Sequence, residues 1–129
     1  MAKMELVRLE STKYVPNSTF PVIIYRNVLP VPDDQDAVKA LLNGNGFRVD
    51  GFFGPYGLRH YHSNTHETYA FTAGQSTIIL GRSESPDDEN GTEIQVSKGD
   101  VLIIPAGTAH CNKTSSDDFL YAASYPKVS

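Results

Sequence analysis

The 129-residue chain has no tryptophan, two methionines and one cysteine, Cys111. A single cysteine excludes an internal disulfide, and a chain of this length buries enough core to fold without one. Positive charge is also scarce: 11 Lys and Arg against 15 Asp and Glu leave a net charge of −4. That excludes a basic footprint for nucleic acid and a polybasic patch for a membrane surface. No apolar run approaches the ~20 residues needed to span a bilayer. The start, from Met1 to Lys13, lacks the apolar segment of a secretory signal, so the expectation is a soluble cytoplasmic protein. There is no internal repeat and no low-complexity tract.

What the sequence does have is concentrated histidine. His60, His62 and His66, three of its four, fall within seven positions, and Glu67 follows at once. In a strand, His60 and His62 share a face about 6.6 Å apart, close enough for both imidazoles to meet one ion at bonds of roughly 2.1 Å. The fourth, His110, closes a second patterned stretch that begins at Gly99. Three imidazoles and one carboxylate are read as converging on a metal.

The spacing resembles the cupin family. Its first motif is matched at Gly54, His60, His62, Glu67 and Gly74, and its second at Gly99, Pro105, Gly107 and His110, with Thr114 where the family has Asn. HYHSNTHE, PAGTAHCN, SSDDFL, the terminal SYP and, upstream, VPNSTFPVIIYR are similar to the small bacterial and fungal cupins called YjlB-like. The acidic stretch Arg82 to Asn90 looks longer than that family's hairpin, and the family pattern continues beyond SYP. The resemblance implies a double-stranded β-helix, or jelly-roll barrel. It also implies one divalent transition metal per chain, ligated by His60, His62, Glu67 and His110, and a homodimer in which the first strand pairs across the interface.

Taken in order, Met4 to Leu9 and Pro21 to Tyr25 suit short strands, and Pro16, Asn17 and Ser18 punctuate the chain between them. A helix is expected near residues 34–43, capped by Asp33 or Asp34, with Ala37, Val38, Leu41 and Leu42 on one face and Gly44 as its stop. Its expected role is to pack on the core. From Phe47 onward the chain reads as short strands between turns: Arg59–His62, Glu67–Thr72, Gln75–Leu80, Glu93–Ser97, Val101–Ile104 and Phe119–Ser124. Asn90-Gly91 and Lys98-Gly99-Asp100 supply turn chemistry, and Ser83 to Asn90 reads as a solvated loop. The fold class is mostly β, in one domain: an N-terminal strand and helix within 1–50, and a metal-binding barrel core over 51–125.

Strand alternation allows only one of His66 and Glu67 to face the barrel. With Glu67 inside, Tyr69 and Phe71 share its face and His66 points outward; a bulge at the strand start would reverse this. Glu67 and Tyr69 are the candidate catalytic pair, the first as a base and the second as a proton donor. The facing parity of Tyr121 is open. Cys111 should point away from the metal as a small buried residue. Asn112, or the Thr114 hydroxyl, is the candidate replacement for the missing motif asparagine.

A His₃Glu set suits Fe, Mn, Ni or Co, and His₃ alone suits Zn. The leading reading is a metal-dependent enzyme acting on a small organic molecule, leaning to Fe(II)-type dioxygenase chemistry. An O₂-independent isomerase, epimerase, lyase or decarboxylase is the alternative, and a non-enzymatic small-molecule-binding cupin is the third.

Overall fold

β-Branched and aromatic runs separated by glycine turns form the strands of a two-sheet jelly roll, in a computed structural model that describes residues 3–13, 17, 20–55, 65–83 and 85–127. The strands are β1 (Lys3–Val7), β2 (Val22–Arg26), β3 (Phe47–Phe53), β4 (Glu67–Ala73), β5 (Gln75–Leu80), β6 (Thr92–Ser97), β7 (Val101–Ile104), β8 (His110–Ser115) and β9 (Leu120–Pro126); α1 is Gln35–Gly44. One sheet has the order β1-β2-β7-β4-β9-β3 and the other β6-β5-β8, with every pairing antiparallel. The expected mostly β jelly roll with one short helix is found. Two strands absent from the sequence reading, β3 and β8, complete the sheets. The predicted strand Arg59–His62 lies outside the described residues.

Alternation decides what each strand buries. Ile24, Phe71, Leu102 and Ile104 of the large sheet meet Ile78, Leu80, Ile94 and Val96 of the small one between the layers. The opposite face of the large sheet presents Ala70, Val101 and Ala122 to Val38 and Leu42 of α1. Because both of its faces are covered, β4 is buried at every position except Ala73. The helix is therefore the packing element expected of it.

The Asp34 carboxylate accepts from Ala37 N–H at 3.1 Å and caps α1. The helix does end at Gly44, but that residue does not supply the left-handed stop. Asn45 is the cap, and Gly46 takes the positive φ of +87°. Gly74 does require glycine: at φ +72° a Cβ would meet Ser116 Oγ and, at 2.8 Å, Phe119 Cα. The tight β4–β5 turn thus seats directly under the chain leading into β9. Among the described residues, no helix is long and apolar enough to cross a membrane.

The acidic loop is exposed at Pro86, Asp87, Glu89 and Asn90, as expected of a solvated stretch, with Asp88 the exception. Asp88 is only 4% exposed; its Oδ2 accepts from Ser83 N–H at 2.8 Å and its Oδ1 from Asn90 N–H at 2.9 Å and Asn90 Nδ2 at 2.8 Å. Burial by itself would push this carboxyl up, but the hydrogen bonds from Ser83 and Asn90 outweigh it and hold the pKa at about 2. The unfolded value is about 3.9. A depressed folded pKa contributes stability that is fully present above the unfolded value and is lost as the pH falls towards the folded one. Wild type is therefore expected to melt above Asp88→Asn at pH 7, with the gap closing between about pH 4 and pH 2. A gap that stays constant across that window, by thermal melting, would show that the ionised carboxylate is not what holds the loop.

Candidate functional site

Glu67 opens β4 opposite Ile104 of β7, and its side chain is fully buried. Two residues on, Tyr69 lies on the same interior face, and its phenol donates to Glu67 Oε2. His110 opens β8 opposite Leu80, a core residue, so its imidazole enters the barrel from the other sheet. His110 Nε2 lies 3.2 Å from Tyr69 Oη and 3.7 Å from Glu67 Oε2. On the far side of the ring, Nδ1 is 3.2 Å from the Thr108 carbonyl oxygen. A carbonyl only accepts, so this contact assigns the proton to Nδ1 and leaves the Nε2 lone pair facing Tyr69 and Glu67.

The backbone at this point is held from both directions. Ala109 N–H donates to Asn17 Oδ1 at 3.2 Å, and the Ala109 carbonyl accepts from Gly81 N–H at 2.6 Å. Asn17 adopts a left-handed φ of +48°, which asparagine tolerates better than most residues, and its Nδ2 donates to the Glu10 carbonyl at 3.0 Å.

The site is short of protons. Tyr69 has one O–H, given to Glu67 Oε2, while Glu67 Oε1 is buried with no hydrogen-bond partner among the described residues. Burial, then the charge of Glu67 and the hydrogen bond to it, push the Tyr69 phenol far up. Burial, then Glu67, push Tyr121 up to about 12. Both phenols are protonated at neutral pH.

Of the five residues expected in the site, the fold brings Glu67, Tyr69 and His110 together. His60 and His62 lie outside the described residues. Among the described residues, no three His, Cys, Asp or Glu side chains form a group able to hold an ion. His66 points outward as alternation required: it is exposed, and its Nδ1 accepts from Ala106 N–H at 2.9 Å. Cys111 is buried opposite Ile79, and burial pushes its thiol up against the smaller opposing effect of Arg82.

Asn112 donates to the hydroxyls of Ser76 and Ser115, which tie β8 to β5. Thr114 joins this cluster through its carbonyl, which accepts from Ser76 Oγ at 2.9 Å, and not through the hydroxyl as expected. The parity of β9 is now fixed. Tyr121 faces the barrel, with ring centroids 5.1 Å from Tyr69, and Ala122 faces the helix. Asn17 and Thr108 had no sequence signal beyond turn composition, because they act through backbone groups that are distant in sequence or carried by any residue.

A family model described as Cupin matches residues 34–124. The uncharacterised protein YjlB of Bacillus subtilis is 31% identical over 113 residues, covering 87% of this chain; the match spans 63% of that relative's length. Two solved structures share the fold. RmlC from Streptococcus suis, in complex with dTDP-D-xylose, aligns at a TM-score of 0.52 and 12% identity, over 96% of this chain and 70% of its own. YcfD, a ribosomal oxygenase from Escherichia coli bound to cobalt and succinic acid, aligns at 0.52 and 13% identity, over 97% of this chain and 39% of its own. The chain belongs to the cupin family.

Removing the hydrogen bond that Tyr69 gives Glu67 should be costly while the carboxylate remains. Tyr69→Phe is expected to lower stability by about 1–3 kcal/mol in denaturant titration, and by clearly less in the Glu67→Gln background. Equal losses in the two backgrounds would mean that the phenol contributes packing alone.

Proposed function

We propose that this cupin is a metal-dependent enzyme acting on a small organic molecule, with oxygenase-type chemistry at an ion held by His60, His62, Glu67 and His110. The observation that carries the proposal is the Glu67 carboxylate: fully buried, with Oε1 unpartnered among the described residues, and 3.7 Å from a lone-pair nitrogen of His110. A buried carboxylate oxygen without a hydrogen-bond partner is a group that a bound cation would satisfy. The Nδ1 contact of His110 with a backbone carbonyl is the arrangement that orients a ligating imidazole. The donor set of one carboxylate and three neutral nitrogens fits a divalent Fe, Mn, Ni or Co ion, and Zn when the carboxylate is not engaged. When bound, such an ion supplies a Lewis acid for an enolate, carboxylate or catechol-like oxygen and, in the case of iron, access to O₂ chemistry.

The chain's own groups would then divide the remaining work. Glu67 Oε1, with its lone pairs unengaged, takes a proton from substrate. Tyr69 Oη, kept protonated by burial and by Glu67, supplies one. Phe71, Phe119 and Tyr121 close the interior below them and keep water out. The pairing of a proton donor with a carboxylate also favours a second reading, an O₂-independent isomerase, epimerase or decarboxylase using the same residues. The N-terminal part (1–50) and the barrel core (51–125) are taken to work as one domain, since α1 packs on β4, β7 and β9.

A homodimer is part of the same proposal. Among the described residues β1 has a partner strand on one side only, and Met4 and Leu6 stand 56% and 47% exposed on it. Light scattering should give twice the chain mass, falling to one chain in Leu6→Asp; a monomeric wild type would overturn the dimer.

Protein purified anaerobically without a histidine tag should carry about one transition ion per chain by elemental analysis. Iron, together with O₂ consumption on catechol-like, diketone or thiol compounds, supports the oxygenase reading. Turnover indifferent to O₂ moves the assignment to the isomerase class. His62→Ala and His110→Ala should each lower metal occupancy and melting temperature together, because binding is coupled to folding. Full occupancy in either variant would show the ligand set to be wrong.

A further inference from the structure

The ladder between β5 and β8 ends irregularly, and it does so beside His110. Leu80 pairs with His110, and at the next rung Gly81 faces Ala109. A regular antiparallel rung of this kind exchanges two hydrogen bonds. Only one is made directly: Gly81 N–H donates to the Ala109 carbonyl at 2.6 Å. In place of the return bond stands the side-chain amide of Asn17. Its Oδ1 accepts from Ala109 N–H at 3.2 Å, and its Nδ2 donates to the Gly81 carbonyl at 3.4 Å.

A ring of hydrogen bonds therefore closes through Asn17, Ala109 and Gly81. A primary amide suits the position because it offers an acceptor and a donor together, as a peptide unit does. Nδ2 also donates to the Glu10 carbonyl at 3.0 Å, which anchors the amide to the chain just beyond β1. Asn17 holds a φ of +48°, a sparsely populated conformation that persists where the surroundings impose it. Gly81 is shaped to the same contact: its φ is +84°, and a Cβ there would stand 3.3 Å from Asn17 Nδ2.

The consequence falls on the next residue, His110. With an amide inserted in the rung, Ala109 N–H and the Gly81 carbonyl are held further apart than a direct bond would hold them. Ala109 is buried, so its N–H has no solvent to turn to. Thr108, on its other side, holds the imidazole through Nδ1 at 3.2 Å. The strand thus enters β8 splayed from its neighbour, and the ring direction is set where it does so.

We propose that Asn17 is a positioning residue for His110: its amide, spliced into the last rung of the β5–β8 ladder, sets the angle at which Nε2 faces Tyr69 and Glu67. The proposal rests on the functional reading above, in which that imidazole is a metal ligand. It adds a control point that lies outside both glycine–histidine patterns.

The test compares Asn17→Gly with Asn17→Asp in the full chain. Glycine accepts the left-handed φ and removes the inserted amide, so Ala109 N–H can bond Gly81 directly. Aspartate keeps the acceptor for Ala109 but turns an oxygen on the Glu10 and Gly81 carbonyls. Asn17→Gly should therefore melt close to wild type and Asn17→Asp below both. Cobalt(II) affinity, by chelator competition, should run the other way: about tenfold weaker in Asn17→Gly and within about threefold of wild type in Asn17→Asp. In metal-free protein, the His110 Nδ1–H proton signal, assigned by its loss in His110→Gln, should persist in wild type and Asn17→Asp. In Asn17→Gly it should shift or be lost to solvent exchange.

Cobalt affinity that falls in step with melting temperature in both variants would overturn the positioning role. So would an unchanged Nδ1–H signal in Asn17→Gly, or an Asn17→Gly chain that does not fold, which would show a structural role alone. The two readings fail separately. Wild type that takes up no cobalt would sink the metal enzyme and leave the imidazole signal to decide this assignment. Cobalt bound equally well by all three proteins would sink the positioning role and leave the metal reading standing.

Discussion

A carboxylate with no exposed surface is the constraint around which the interior is arranged. Glu67 sits at the start of a strand whose neighbours in the sheet are also covered, so it cannot turn to water without leaving β4. One oxygen is served by Tyr69 and the other has no partner among the described residues. In a medium of low polarity that arrangement is costly for an isolated ion and favourable around a second charge. The Tyr69 proton is given to the carboxylate, while the His110 Nε2 lone pair faces it at 3.7 Å, so two electron-rich groups meet at a point where a bound cation would be favourable.

Strand parity is what keeps such a site separate from the rest of the core. On β4, Glu67, Tyr69 and Phe71 face the barrel while Ala70 faces α1, and on β9 Tyr121 and Ala123 face the barrel while Ala122 faces α1. The small residues on the helix side let α1 approach closely through Val38 and Leu42. The large and polar ones are thereby left for the interior. A one-residue slip in either strand would exchange the two sets, placing alanines in the site and tyrosines under the helix. The packing of α1 therefore protects the register of the site without touching it.

Much of this was legible in the sequence, and the parts that were not share a cause. The two glycine–histidine patterns located Glu67 and His110, and alternation placed His66 outside and Tyr69 inside. Strands with β-branched runs, such as Gln75–Leu80 and Val101–Ile104, were bounded correctly. β8 was missed because HCNKTS has neither the alternation nor the β-branched content of a strand; it pairs because β5 offers it a ladder. β3 was missed for a related reason, an aspartate and a glycine in its middle where the register shifts. Asp88 looked solvated by composition, and only its bonds to Ser83 and Asn90 reveal otherwise. In each case the deciding interaction lies in the pairing or the loop geometry, which composition does not encode.

The site is also divided between the two sheets, and that division has a mechanical consequence. Glu67 and Tyr69 come from the six-stranded sheet and His110 from the three-stranded one, so the contacts of His110 with the other two cross the core. The hydrophobic contacts between the layers are non-directional and tolerate small displacements. The placement of Nε2, 3.2 Å from Oη and 3.7 Å from Glu67 Oε2, is set by both sheets together, and sliding one of them by about an ångström would open it. The backbone around His110 is fixed accordingly, with Ala109 held by Asn17 and Gly81, and the ring by Thr108. A charge bound between the sheets would turn a layered core into a cross-braced one. Were the proposed ion held there, occupancy of the site and stability of the barrel would be two measures of the same interaction.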